Sequence, residues 1–162
     1  MERFRGRADL ALDETGRRQA EAAALRLKGE QVAAIYSSPL KRALQTAEPI
    51  AKQLKLAVQP LEGLIDIDFG SWQGLSSEEA TGQDSQLFQM WLERPHLVHF
   101  PKGERLEIVR QRVLGAVDEL AARHKDQTVI LVSHTVVCRV LMCAMLGLDD
   151  SQRFDGCGAD GR

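Results

Sequence analysis

One run near the end of the chain limits the possible folds more than any other feature. Residues 128–132, Thr-Val-Ile-Leu-Val, are mostly β-branched or leucine. Ser133-His134-Thr135 follows directly, and then a hydrophobic stretch of helical length that ends at Leu146. A buried strand, a polar turn and a helix in this order are typical of one βα unit of a parallel sheet. The chain is therefore predicted to adopt an α/β fold.

The remaining segments alternate in the same way. One predicted helix is expected to have Ser38 as its cap and Pro39 at its first position, and Pro49 is expected to kink it or end it early. The segment between residues 63 and 101 has weak periodicity and is interpreted as a connecting excursion with one short helix near Met90. The predicted helices cover residues 15–28, 39–54 and 104–124 and the stretch up to Leu146, and the predicted strands cover residues 32–36, 57–61 and 128–132.

Composition narrows the class of protein further. The net charge of −2 provides no positive field for nucleic acid or an anionic membrane. The longest apolar stretch, Val136 to Leu148, contains Arg139 and is too short to cross a bilayer. An odd number of cysteines, three, favours a reduced, cytoplasmic protein. We predict one domain over residues 1–150 and an irregular tail over 151–162.

Polar residues that follow two of the predicted strands are candidates for a ligand site, because the carboxyl ends of parallel strands meet at one edge of a sheet. Arg42 is expected in the first turn of a helix, where its guanidinium and the free backbone N–H groups would favour phosphate. His134 follows the most hydrophobic strand directly. The alternatives are a solvated surface arginine and a histidine bonded to a backbone carbonyl.

Acidic residues supply a third candidate. Asp66 and Asp68 would lie on one side of an extended run, where one carboxylate could keep the other protonated for general acid catalysis. The alternative is a loop with solvated acids. Ser133 is a weak candidate nucleophile because no glycine-flanked elbow surrounds it. No metal site is predicted, since His96 and His99 have no further ligand nearby, and no glycine-rich nucleotide loop is present.

Taken in order, six segments resemble the histidine phosphatase superfamily, the phosphoglycerate mutase-like proteins, and the resemblance spans the chain from Phe4 to Leu148. It implies a three-layer, doubly wound, mostly parallel α/β sheet. The segments are residues 5–9, 12–20, 37–47, 67–74, 100–104 and 132–134.

By motif, the resemblance makes Arg42 the phosphate-binding arginine, His134 the second histidine, which is catalytic and also binds phosphate, and Asp66 the proton donor. It implies hydrolysis of a phosphomonoester, a small phosphorylated metabolite, through a phosphohistidine and without a metal or other cofactor. Inorganic phosphate is the other ligand implied. The segment from Gly74 to Pro101 is shorter than the insertion of the glycolytic mutases, which favours a phosphatase over the alternative, a phosphoglycerate mutase.

Two parts of the family pattern are not found in the sequence. The Arg-His-Gly-Glu segment that carries the nucleophile is expected before Phe4, and the family's last strand is expected where residues 152–162 lie. We therefore expect a sheet without its first central strand and its last strand, in a chain that is inactive on its own. The alternatives are a truncated fragment, a non-catalytic phosphate-binding pseudoenzyme and a homo-oligomer formed through the uncovered sheet edge.

Overall fold

In the computed structural model, residues 3–148 are described, and they form six α-helices and three β-strands. The tail predicted for residues 151–162 lies outside the described residues, and so does Cys157. The helices are α1 (Glu14–Arg26), α2 (Lys41–Leu54), α3 (Ser77–Gln83), α4 (Ser85–Glu93), α5 (Leu106–Arg123) and α6 (Thr135–Met145), and the strands are β1 (Ala34–Ser37), β2 (Val58–Pro60) and β3 (Val129–Val132).

The three strands form one parallel sheet in the order β2-β1-β3, which confirms the predicted α/β class. Ile35 on β1 lies opposite Val58 on β2 and Ile130 on β3. All four residues of β1 are buried, as expected for the middle strand, whereas β3 is partly buried. The two βα junctions after β1 and β3 therefore lie at the same edge of the sheet.

The chain divides into two compact units. The first, called the sheet unit here, comprises residues 8–66 and 112–134 and contains the three strands. Its core lies where α1 and α2 meet the sheet, because both helices carry small or branched apolar residues on one face. The residues buried there are Ala24, Ile35, Ala47, Ile50 and Ala51.

Helix α2 begins two residues later than predicted. Pro39 lies outside the helix, and the hydroxyl of Ser38 accepts a hydrogen bond from the Leu40 backbone instead of capping the first turn. The carboxylate of Asp9 takes the capping role, since it accepts a 2.7 Å hydrogen bond from the Lys41 backbone N–H. The backbone N–H at the start of α2 is thus hydrogen-bonded by a carboxylate that is distant in sequence. The spacing of residues within one segment could not predict this contact.

Pro49 does not end helix α2, which continues to Leu54. The predicted early end is therefore wrong. Pro49 occupies the ninth position of a 14-residue helix, and the apolar face that continues through Ile50 and Ala51 is buried in the core of the sheet unit. This burial of the following turn favours a continuous helix over a break at the missing backbone donor.

A close backbone contact fixes the segment after β2 against helix α5. A Cβ atom added to Gly63 would lie 2.5 Å from the Cβ of Ala116 and 3.2 Å from the carbonyl oxygen of Arg112. Only glycine fits at this distance without a shift of the helix. The segment that leads to Asp66 therefore cannot shift along α5 without a clash at Gly63.

The second unit, called the aromatic unit here, comprises residues 3–7, 67–111 and 135–148. The stretch predicted as an excursion with one short helix contains two helices, α3 and α4, and the second begins with Asp84 as its cap. Gly70 has a φ of +54°, and a Cβ atom there would lie 2.1 Å from the carbonyl oxygen of Pro101. The core of the aromatic unit consists of edge-to-face contacts between aromatic rings. The rings are those of Phe4, Phe69, Trp72, Phe88, Trp91 and Phe100.

Among residues 3–148, every helix is too short or too polar to span a lipid bilayer.

Candidate active site

Arg42 occupies the first turn of α2, as predicted, and its side chain is only 13% exposed. The guanidinium donates through Nη1 to the carbonyl oxygen of Ala8 at 2.7 Å and through Nη2 to Asp66 Oδ2 at 2.9 Å. The alternative of a solvated surface arginine is therefore wrong. Because its donors point in two directions, the guanidinium links the loop at residue 8 to the segment that carries Asp66.

Asp66 ends the segment that runs from β2 past Gly63, and its side chain is 12% exposed. Its carboxylate oxygen Oδ2 accepts from Arg42 and also lies 3.7 Å from Nδ1 of His134. The predicted alternative of solvated acids is therefore wrong for Asp66. One oxygen atom faces both a guanidinium and an imidazole, which places a proton-accepting group between two nitrogen donors.

His134 is buried at the junction of β3 and α6. Its Nε2 lies 2.7 Å from the hydroxyl oxygen of Ser38, which is fully buried at the matching junction after β1. Neither ring nitrogen faces a backbone carbonyl in these contacts, so the alternative that the sequence left open does not hold. The sheet topology brings the two junctions together, because β1 and β3 are adjacent and parallel.

The charge state of this cluster follows from its surroundings. Burial lowers the pKa of His134 from 6.5 to about 3, and the positive charges of Arg42 and Arg112 act in the same direction. The imidazole is therefore neutral at pH 7. The groups beside the ring are the guanidinium groups of Arg42 and Arg112 and the carboxyl group of Asp66, and a guanidinium group favours an anion such as a phosphoryl group.

Arg112 is the residue that sequence reasoning missed. Its guanidinium donates from α5 to the carbonyl oxygens of Gly63, at 3.0 Å, and of Asp66, at 3.2 Å. These two hydrogen bonds fix the backbone of residues 63–66 and with it the position of the Asp66 side chain. The signal available in the sequence was its place beside the apolar stripe of α5, three residues after Val109 and one before Val113, where a charged side chain faces inward.

The other candidates lie outside this cluster. Asp68 belongs to the aromatic unit, where its carboxylate lies 3.8 Å from Arg7, so the two aspartates have different arginine partners. The hydroxyl of Ser133 donates to the Leu64 carbonyl oxygen at 2.7 Å. Within residues 3–148, no three His, Cys, Asp or Glu side chains are grouped as a metal ion would require.

Comparison with known proteins gives one family model that matches residues 1–157, described as the histidine phosphatase superfamily, branch 1. The match covers both units. It includes the six segments on which the sequence resemblance was based, and also Arg42, Asp66 and His134.

Individual proteins give the same result. Phosphoserine phosphatase 1 of Hydrogenobacter thermophilus is 43% identical over 156 residues, which are 96% of this chain and 74% of that protein. The structure of Bacillus stearothermophilus YhfR superposes with a TM-score of 0.91 at 34% identity, over 96% of this chain and 77% of that one. A mycobacterial glucosyl-3-phosphoglycerate phosphatase solved with inorganic phosphate superposes with a TM-score of 0.85 at 31% identity, over 93% and 76% of the two chains.

Proposed function

Because this chain belongs to the histidine phosphatase superfamily, we propose that Arg42, Asp66 and His134 form the phosphate-binding and proton-donating part of a site that hydrolyses a small phosphate monoester. One observation carries the assignment of the site. A buried carboxylate oxygen of Asp66 faces the Arg42 guanidinium at 2.9 Å and the His134 imidazole at 3.7 Å. Similarity to a phosphoserine phosphatase and to a glucosyl-3-phosphoglycerate phosphatase supports a small phosphorylated metabolite as the substrate.

In this proposal Arg42 binds the phosphoryl oxygens. Its planar fork of donors matches the geometry of a phosphate, and its low exposure strengthens the electrostatic attraction. The positive charge that a phosphatase needs against the phosphoryl group is supplied by guanidinium groups, so the proposed reaction uses no metal ion. Activity that survives a chelator would support this part of the proposal.

In the proposed reaction the carboxyl group of Asp66 exchanges a proton with the ester. A phosphate dianion would compete with Asp66 for the Arg42 guanidinium, and it would offset the two positive charges that lower the pKa of His134. Both effects favour uptake of a proton by the Asp66–His134 pair when the substrate binds. That proton is then available to the leaving alkoxide, which is the role of a general acid.

The resemblance also implies that the phosphoryl group passes from the ester oxygen to a histidine nitrogen and then to water. Because the Arg-His-Gly-Glu segment that carries this nucleophile is not found in the sequence, His134 is proposed to bind the phosphoryl group and not to attack it. Acid-labile phosphate on the protein after incubation with a labelled monoester is the measurement that checks this step. A mutase would return the label to a second hydroxyl of the substrate instead of releasing it as inorganic phosphate.

Three further properties stay predictions from the sequence. They are a cytoplasmic location, a single domain over residues 1–150 and assembly into a homo-oligomer.

The test compares two variants that lose the same charge one residue apart. Arg42→Met removes the proposed phosphate ligand, whereas Lys41→Met removes an exposed lysine whose partner is Asp9. We expect Arg42→Met to weaken binding of inorganic phosphate and of vanadate by about thirtyfold or more, and Lys41→Met by about threefold at most. Isothermal titration gives both affinities, and phosphate release from phosphoserine and other monoesters gives turnover.

Each outcome decides something about the site. Equal effects of the two variants would contradict the assignment of Arg42. Binding of phosphate with no turnover of any monoester would replace the hydrolase with the non-catalytic phosphate-binding alternative. Heat measured in two buffers of different ionisation enthalpy gives the number of protons taken up, and we expect about one per bound dianion.

A further inference from the structure

The side chain of Ser38 is fully buried beside His134. Its hydroxyl oxygen lies 2.7 Å from Nε2 of His134 and accepts a hydrogen bond from the Leu40 backbone N–H at 3.3 Å. The backbone N–H of Ser38 donates to the Val132 carbonyl oxygen at 2.9 Å, so the sheet itself fixes the position of the hydroxyl.

We propose that Ser38 is a positioning residue that sets the tautomer of His134, so that Nδ1 carries the proton and Nε2 accepts from the serine hydroxyl. The inference rests on the proposed function, because it names the ring atom that would face the phosphoryl group. Ser38 itself touches no reacting atom in this arrangement.

The direction of the hydrogen bond follows from the partners of the hydroxyl. A serine hydroxyl has one proton to donate, and a buried donor without an acceptor is costly. Leu40 donates to the Ser38 oxygen, and among residues 3–148 the ring nitrogen is the other partner of that oxygen. The serine proton is therefore directed at Nε2, which must then be the unprotonated nitrogen of the ring.

The other side of the ring favours the same tautomer. Nδ1 lies 3.7 Å from Oδ2 of Asp66, and a carboxylate stabilises a proton on the nitrogen that faces it. Because the imidazole is neutral at pH 7, it carries only one ring proton, and both neighbours place that proton on Nδ1. His134 would thus present an N–H donor to a phosphoryl oxygen without carrying a charge of its own.

The tautomer can be read directly, without ligand and without activity. In the full chain with ¹⁵N-labelled histidine, long-range ¹H–¹⁵N correlation spectra distinguish Nδ1–H from Nε2–H, and the His134→Gln variant assigns the signal. We expect the Nδ1–H pattern in the wild type. An Nε2–H pattern, or a mixture, would overturn the inference while leaving the proposed function intact.

Two neighbouring serines provide a matched pair of variants. Ser38→Ala removes the donor to Nε2, and we expect the ring to shift toward the Nε2–H tautomer and phosphate affinity to fall about tenfold. Ser37 is equally buried, but its hydroxyl donates to the Ser38 carbonyl oxygen at 2.9 Å. We therefore expect Ser37→Ala to keep the wild-type tautomer and an affinity within about twofold of the wild type.

An unchanged tautomer in Ser38→Ala would overturn the inference, and so would an equal change in Ser37→Ala. If Ser38→Ala does not fold, the spectrum of the wild type still decides. Phosphate that fails to bind the wild type would instead refute the proposed function, and the tautomer would be measured regardless.

Discussion

The two units of the protein each contain an arginine paired with a carboxylate, and the two pairs differ in their exposure to water. In the sheet unit, Arg42 and Asp66 are 13% and 12% exposed. In the aromatic unit, Arg7 is 36% exposed, and it pairs with Glu104 at 2.9 Å and with Asp68 at 3.8 Å. Glu104 is only 14% exposed, so the difference lies in the arginine, whose charge is screened by water more in the aromatic unit than in the sheet unit.

The partners differ as well. The second oxygen of Glu104 accepts from the Asp68 backbone N–H at 3.0 Å, and the backbone N–H of Arg7 donates to the Gln73 side chain at 2.9 Å. These bonds join the beginning of the chain to two loops, which is a structural task. The sheet unit instead surrounds its ion pair with a second guanidinium, from Arg112, and a neutral imidazole. Of these two clusters, the one in the sheet unit has both members of its closest ion pair at most 13% exposed and two guanidinium groups beside one carboxylate.

The largest expected effect comes from removing each arginine in turn. Arg42→Met leaves the buried carboxylate of Asp66 without its guanidinium, and we expect a loss of about 3–5 kcal/mol in the free energy of unfolding. Arg7→Met removes a more exposed arginine from the partly buried Glu104, and a smaller loss of about 1–2 kcal/mol is expected. Urea titration of both variants gives the two values. Equal losses would show that burial does not separate the two clusters.

A smaller effect concerns acid. The pKa of His134 is about 3 in the folded protein and near 6.5 in the unfolded chain, so between these values only the unfolded chain binds the proton. Stability contributed by the neutral ring is fully present above pH 6.5 and is lost as the pH falls toward 3. We expect a slope of up to about 1.4 kcal/mol per pH unit, or about 2 kcal/mol by pH 5.

The control for this titration is a histidine of the aromatic unit. Urea titrations at several pH values should show the slope in the wild type and in His99→Gln, whose ring is exposed. The slope should be absent in His134→Gln. In Arg42→Met it should level off at a higher pH than in the wild type, because one of the two cations that lower the pKa of His134 is gone. A slope that persists unchanged in His134→Gln would contradict the neutral imidazole.

The smallest expected effect is the response to salt. Double-mutant cycles give the coupling energy of Arg42 with Asp66 and of Arg7 with Glu104. Raising NaCl from about 0.05 M to about 1 M should weaken the Arg7 coupling by about 0.5 kcal/mol, because screening acts mainly on exposed charges. The Arg42 coupling should change less. A larger salt response for Arg42 would mean that water reaches that pair more freely than its exposure indicates.

Much of the fold was predictable because it depends on local pattern. The apolar run before His134, the strand before Ser38 and the amphipathic period of α5 each predicted an element at its observed place. The position of Arg42 in the first turn of α2 was also predicted. These features need only the side-chain alternation and helical spacing of a single segment.

Features that join distant segments were not predictable in this way. The start of α2 depends on Asp9, about thirty residues earlier, and the backbone of Asp66 is held by Arg112, which lies 46 positions later. The pairing of Ser38 with His134 depends on the adjacency of β1 and β3. A spacing rule within one segment does not contain such contacts, so the supporting residues of the site became visible only in three dimensions.

The close approach of Gly63 to α5 also restricts how this lineage can diverge. With 2.5 Å between the Cβ of Ala116 and the place where a methyl group on residue 63 would be, there is space for only one small substituent at the pair. Alanine can enter at 63 only if glycine already stands at 116; otherwise the helix moves and takes Arg112 with it. We therefore expect substitutions at these two positions to occur in a fixed order, with Ala116→Gly before Gly63→Ala.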